Sequence, residues 1–326
     1  MFVLGLQGSP RRKGNSAYLL TALMEAMEGY GARTHVVEIE RRHVEPCREY
    51  IVCEKKGFCP IDDDMKTEIY ARIWEADVVV VASPIFFYNV TAQLKALIDR
   101  CQTLWARKYR LRLTDPGRPT RRGFLLSVAA TRGKQLFDGV HLTVEYFFDA
   151  IGAQYEGGLT YRGIEHKGDM EKHSSVREDV RKAADRLTAP FRDRRVVLFA
   201  GRNNTGASRM AGAFTRFLAG DRWEALDAGI HPSDSPDPSV QKVMHERGID
   251  MGFRNPGSLD HALERALPDR IIDLGAGGSI PEVPGARVQR WDLPAAAGLP
   301  EDRLTALRDE VEKRVREELA STDRNS

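Results

Sequence analysis

The sequence predicts two α/β domains in tandem, a doubly wound parallel sheet followed by a second, smaller α/β unit. Three observations carry this. Short apolar, often β-branched runs alternate with stretches whose apolar residues recur at helical spacing, which is the pattern of βαβ units. The alternation breaks at Thr188–Arg195, where Pro190 and four charged residues make a linker, and then restarts. The 326 residues suit about two domains at roughly 100–200 residues each. The boundaries read as 1–190 and 194–320.

In the first domain Phe2–Leu6 is a buried-strand pattern. A Gly/Pro/Ser/Asn cluster follows at 8–16, then a helix over Ala17–Met27 that Gly29 and Gly31 stop. Thr34–Ile39 is the second strand and Met65–Trp74 a helix. Asp77–Ala82 suits a strand covered on both faces. Thr91–Leu104 is a helix, Gly123–Ala129 a strand, Leu142–Ile151 a helix, Tyr155–Leu159 the last strand and Val176–Leu187 a closing helix. In the second domain Val196–Ala200 is a strand, Ser208–Leu218 a helix, Gln241–His245 helical and Ile271–Leu274 a strand. Leu304, Leu307, Val311, Val315 and Leu319 make one apolar stripe on a terminal helix. Ser321–Ser326 reads as a frayed tail.

Composition excludes several classes. Lys plus Arg total 49 against 47 Asp plus Glu, so a net charge of +2 gives no overall pull toward nucleic acid or an anionic membrane. The longest apolar runs, Val78–Ala82 and Val196–Ala200, fall far short of the roughly 20 residues of a membrane span. Four cysteines and no secretory segment argue against a disulfide scaffold and for a cytoplasmic protein. Arg107–Arg122 holds seven basic residues and one acid, Asp115. It reads either as a solvated loop or as a lure for the extra phosphate of NADPH or an acidic redox partner. With only Tyr109 interleaved, it is not a nucleic-acid surface. Asp62, Asp63 and Asp64 precede a helix start and read as caps.

The loop Gly8–Ser16 lies between a strand and a helix. Helix amino ends expose unpaired N–H groups and the positive end of the dipole, so they suit anions. Ser9, Asn15 and Ser16 add donors, and Arg11 adds charge. It is not an NTP-binding loop, because five residues separate Gly8 from Gly14 and Asn15 stands where that motif needs Lys.

Gly8-Ser9-Pro10-Arg11 with Gly14-Asn15-Ser16 resembles the FMN phosphate loop of the flavodoxin-fold NAD(P)H-dependent FMN reductases, and most closely their iron–sulfur flavoprotein branch. Ser83–Arg100 and the segment with Cys47, Cys53, Cys59 and Asp62–Met65 match as well, over about residues 1–190. The resemblance implies a flavodoxin-like fold, bound FMN, NAD(P)H as electron donor, and a homodimer or homotetramer. It places Pro84, Ile85, Phe86 and Phe87 against the flavin ring, and the loop with Ala130, Thr131 and Gly133 on its other side. The electrons would leave to a quinone, a ferredoxin-type protein or a small molecule. No catalytic side chain is required, since the flavin carries the chemistry. The branch ligates a 4Fe–4S cluster with four cysteines. Cys47, Cys53 and Cys59 match the first, third and fourth positions, and Tyr50 occupies the second. Three readings stay open: no cluster, a cluster with a substitute ligand, or zinc with His43 joining the three thiols.

Val197–Ala211 resembles the phosphate loop of low-molecular-weight protein tyrosine phosphatases and thioredoxin-type arsenate reductases. Asp227-Ala228-Gly229 and Trp291-Asp292-Leu293-Pro294 follow in that family's order, over about 194–320. The family's chemistry needs a thiolate at the loop's start, an Arg six positions later and an acid after the Trp-x-x-Pro stretch. Gly201, Ala207 and Ala295 stand at those places, and no Cys lies beyond Cys101. Neither phosphatase nor arsenate reductase activity is expected. This domain would serve regulation, dimerisation or substrate gating. The competing reading of the whole chain is a binding protein that senses a flavin or a phosphorylated ligand without turnover. A third, an arsenic-linked reductase, finds no thiol in the second domain.

Overall fold

The computed structural model describes residues 1–278 and 280–321. Of the 321–326 tail, all but Ser321 lies outside the described residues. The chain forms two units. Met1–Arg112 and Thr120–Arg192 make the first, and Leu113–Pro119 joins the chain from Asp193 in the second.

The first unit is built on five strands: β1 (Phe2–Gln7), β2 (Arg33–Glu38), β3 (Val78–Pro84), β4 (Arg122–Ala129) and β5 (Gln154–Arg162). All neighbours pair in parallel, in the order β2-β1-β3-β4-β5. That order is flavodoxin-like, with its winding switch between β1 and β3. β1 is buried along its whole length, and Val78 to Ala82 are fully buried, as strands between two helical layers must be. The helices Asn15–Glu28 and Val176–Thr188 cover one face through Leu19, Leu20, Leu23, Val180 and Leu187.

One predicted helix is two. Ala92–Arg100 and Gln102–Tyr109 are separated at Cys101. The Tyr70 hydroxyl donates to the Arg100 carbonyl at 2.7 Å, which takes an acceptor at the break. The basic run is chiefly structural. Arg107 is buried and donates to the Gly57 carbonyl, and buried Arg121 donates to the carbonyls of Trp74, Ala76 and Ile151. Of the three aspartates, Asp63 accepts from Met65 N at 3.1 Å as a cap does, and its carboxylate also forms a fully buried ion pair with Arg100.

The second unit has four parallel strands, β6 (Arg195–Gly201), β7 (Trp223–Gly229), β8 (Arg270–Asp273) and β9 (Arg287–Arg290), in the order β7-β6-β8-β9. The helices Ala207–Ala219 and Glu301–Val315 pack together on one face around Phe199, Phe214 and Trp291, and the predicted stripe from Leu304 to Leu319 is buried there. Leu113–Pro119, which precedes β4 in the chain, adds a strap. Thr114 N donates to Gly248 O at 2.7 Å, and Asp250 N donates to Thr114 O at 2.8 Å. Among the described residues no helix is long and apolar enough to cross a membrane.

Candidate flavin site

The carboxyl ends of β1, β3, β4 and β5 open onto a cavity of about 600 Å³. Its floor is the turn after β1. Gly8 N donates to Ala82 O at 2.8 Å, and the Thr91 hydroxyl donates to Gly8 O at 2.6 Å, so the turn is tied to both sides of the winding switch. A Cβ at residue 8 would lie 2.7 and 2.9 Å from Leu94, so only glycine lets the chain pass there. Ser9 is buried and its Oγ accepts from Arg11 N at 3.2 Å, holding the loop in a tight arc. The helix then begins at Asn15 with Gly14 as its cap. No side chain caps it and its first turn holds no acid, which suits an anion, and Gly14, Asn15 and Ser16 line the cavity.

Ser9, Arg11, Asn15, Ser16, Pro84, Ile85, Phe86 and Ala130 all line this cavity. Lys13, Val128, Ile164, Glu165 and Lys167 line it too and were not anticipated. The last three belong to the loop after β5. Reading β5 as ending at Leu159 placed that loop too early, whereas the strand runs on to Arg162 and delivers 164–167 to the same sheet edge. The Asn15 amide binds that loop directly. It donates to His166 O at 2.9 Å and accepts from Met170 N at 3.2 Å. Asn15 therefore shapes the site by joining two of its walls.

Phe87, Thr131 and Gly133 do not line the cavity. Phe86 and Asn89 exchange two backbone hydrogen bonds around a two-residue turn. Phe87 (φ 47°) and Tyr88 (φ 63°) occupy its centre in the left-handed region that such a turn requires. Their Cβ atoms make this costly, on the order of 1–3 kcal/mol each. The turn throws Phe87 outward to full exposure and leaves Phe86 half exposed at the rim. Thr131 is held by its carbonyl, which accepts from Gly163 N at 3.3 Å.

The donor set at 9–16 and the apolar wall of Pro84, Ile85 and Phe86 fit a flavin mononucleotide, phosphate at the helix end and ring along the wall. The model of the NADPH-dependent FMN reductase family matches residues 1–135. An iron–sulfur flavoprotein of Methanosarcina thermophila is 31% identical over 195 residues, covering 57% of this chain and 95% of the relative. This chain belongs to the iron–sulfur flavoprotein family. Its cofactor is FMN, with NAD(P)H as the family's donor. An arsenate reductase of Halalkalibacterium halodurans is 29% identical over 133 residues, covering 38% of this chain and 94% of the relative. The structure of a NAD(P)H:quinone oxidoreductase from Methanothermobacter marburgensis covers 57% of this chain at 20% identity, with a TM-score of 0.46 and 96% of its own length matched.

The family's four-cysteine cluster does not fit this flavoprotein. Cys47 is exposed, Cys53 and Cys59 are half-buried, and Tyr50 stands at the remaining ligand position with its side chain out in solvent. A phenol is a poor ligand for such a cluster beside a thiolate. His43 does not complete a zinc site either, since its Nε2 faces Glu45 at 3.4 Å. Among the described residues no three His, Cys, Asp or Glu side chains are arranged to hold a metal ion.

In the second unit the loop after β6 is held by its own buried polar side chains. Asn204 is buried with φ 51°, its amide donates to Asp227 O at 3.2 Å, and its Oδ1 accepts from Ser208 Oγ at 3.0 Å. A Cβ on Gly206 would strike the Ala296 methyl at 2.5 Å, so the 295–296 segment closes over the loop. Gly201 and Ala207 flank it, each without a reacting group.

Proposed function

We propose that the chain transfers electrons from NAD(P)H through FMN to a small-molecule, quinone or redox-protein acceptor, and that its second domain has neither phosphatase nor arsenate reductase activity. The observation that supports the first part is the cavity at the β1/β3 switch, with an acid-free helix end on one side and an apolar wall on the other. When bound, FMN supplies hydride acceptance and onward electron transfer. The chain's residues do the rest. Ser9, Ser16 and the first-turn N–H groups hold the phosphate, with Arg11, Lys13 and Lys167 adding positive charge at that end. Pro84, Ile85 and Phe86 exclude water from one ring face. Phe86, Phe87 and Tyr88, exposed on a strained turn beside the cavity, suit a subunit contact, which supports a homodimer or homotetramer.

The inert second domain is supported by Gly201, Ala207 and Ala295. Losing the nucleophile, the oxyanion clamp or the acid would each cost orders of magnitude in rate. The intact scaffold around Asn204 and Ser208 suits a regulatory or assembly role. The test is the visible spectrum of anaerobically purified protein before and after NADPH. A two-band flavin spectrum that bleaches, followed by steady NADPH consumption with a quinone, is expected. A colourless protein that cannot be loaded with FMN overturns the proposal, and a flavin that never bleaches leaves the sensing function.

A further inference from the structure

The turn after β5 supplies one wall of the flavin site, and a small set of hydrogen bonds gives it its shape. Ile164 and Met170 are buried in the core of the first unit and pin its two ends. Between them Glu165, His166 and Lys167 are exposed, yet Glu165 and Lys167 line the cavity together with Ile164. Nothing apolar holds this middle part in place. Asp169 does so from one side. Its Oδ2 accepts from Glu165 N at 3.0 Å and from His166 N at 2.7 Å. Asn15 does so from the other, donating to His166 O at 2.9 Å while accepting from Met170 N at 3.2 Å. Among the described residues no other side chain hydrogen-bonds the backbone of 165–168.

The two anchors stand differently to the cavity. Asn15 lines it at the first position of the helix Asn15–Glu28, whereas Asp169 is not part of the lining. Lys167 directly follows the residue that Asn15 holds, so the turn brings its ammonium to the cavity's helix end, where an anion is favoured. Among the described residues Lys167 forms no ion pair, which leaves its charge for a ligand. Asp169 forms none either, and its carboxylate is engaged by the two backbone N–H groups of the turn.

We propose, on the flavin site inferred above, that Asp169 and Asn15 are positioning residues that present Lys167 to the FMN phosphate. Selection of FMN over unphosphorylated riboflavin then depends on an acidic side chain outside the cavity. Charge alone predicts the opposite sign. Removing a carboxylate near an anion site should tighten the binding of a phosphate if only Coulomb attraction counted. Here the same removal weakens it, because Glu165 N and His166 N lose their acceptor and the turn loses the shape that presents the lysine.

The test is fluorescence titration of the flavin-free full chain with FMN and with riboflavin. Asp169→Ala should lower FMN affinity about tenfold, the scale of one charge-assisted hydrogen bond, and change riboflavin affinity by less than about twofold. Asn15→Ala should do the same. Asp169→Asn removes the same charge but keeps an oxygen for both N–H groups, so it should bind FMN within about twofold of the parent. Lys167→Ala should itself lose about tenfold for FMN, and adding Asp169→Ala to it should cost nothing further, since the group being positioned is gone. Unchanged melting temperatures show that the variants are folded. Equal or tighter FMN binding by Asp169→Ala, a loss shared with riboflavin, or additive losses in the double variant overturn the positioning role alone. A parent chain that binds neither flavin overturns the flavin site itself, and the first titration reads this before any variant is compared.

Discussion

Two turns of this chain share one plan and differ in what they leave open. After β1 and after β6 the chain leaves a central parallel strand, turns tightly, and enters a helix with no acid in its first turn. At 8–16 the serine and backbone donors border an apolar cavity of about 600 Å³. At 201–208 Ser208 donates to Asn204, Asn204 donates to the Asp227 carbonyl, and Ala296 sits against Gly206. A helix end of this kind attracts anions in both places, but a site also needs room and reacting groups. The first turn has the room, and in the second Gly201 and Ala207 carry no reacting group.

The sharpest way to break this comparison is Ser9→Glu. A carboxylate a few ångströms from the FMN phosphate is repelled by several kcal/mol at a surface-like dielectric, so flavin affinity should fall at least about 100-fold. Flavin fluorescence titration reads this, and unchanged affinity would move the phosphate elsewhere.

Gly201→Cys with Ala207→Arg asks how much of the second turn's shell survives. A Cβ at 201 meets Ser208 Oγ at 3.0 Å, which a serine side chain can yield. Hydrolysis of p-nitrophenyl phosphate should emerge at a low level. Adding Ala295→Asp should raise it by about 100-fold, the usual range for a restored general acid. Continued inactivity of the triple variant would show that the loop's shape has also drifted.

Gly8→Ala tests the close approach at the first turn. Its methyl would overlap Leu94, so the first domain should lose about 1–3 kcal/mol in denaturant melts. The smallest effect is a pH dependence of the second domain. Burial pushes the Asp227 carboxyl up, but Arg216, Arg254 and Arg209 outweigh it and hold it down at about 2, against an ordinary 3.8. A depressed carboxyl stabilises the fold above its unfolded value and loses that contribution as pH falls through the folded one. The second domain's melting temperature should therefore drop between about pH 4 and pH 2, and Asp227→Asn should flatten the drop.

Much of this was legible in the sequence because the buried parallel strands carry unbroken apolar runs. Val78–Ala82 and Val196–Ala200 announce the centres of both sheets. The edges are harder. β9 is Arg-Val-Gln-Arg and mostly exposed, so it shows no apolar signal. β7 breaks up its buried residues Trp223, Ala225, Leu226 and Ala228 with Glu224 and Asp227 and escapes a search for continuous runs. Residues of 9–16 and 84–86, singled out from the resemblance, line the cavity. The 164–167 wall was missed because its position depends on where β5 ends. Phe87 lies outside the cavity lining, on a left-handed turn that no residue pattern announces at a bulky residue.

The strap at Leu113–Pro119 bears on how this chain could have been assembled and how it could come apart. A simple fusion of two genes would leave each product whole on its own side of the junction. Here the segment that hydrogen-bonds Gly248 and Asp250 is encoded before β4, inside the reading frame of the other domain. A protease cut or gene fission at 192–193 would release a second domain missing one of its own pieces. The two halves are thus committed to a single polypeptide by interleaving as well as by their linker.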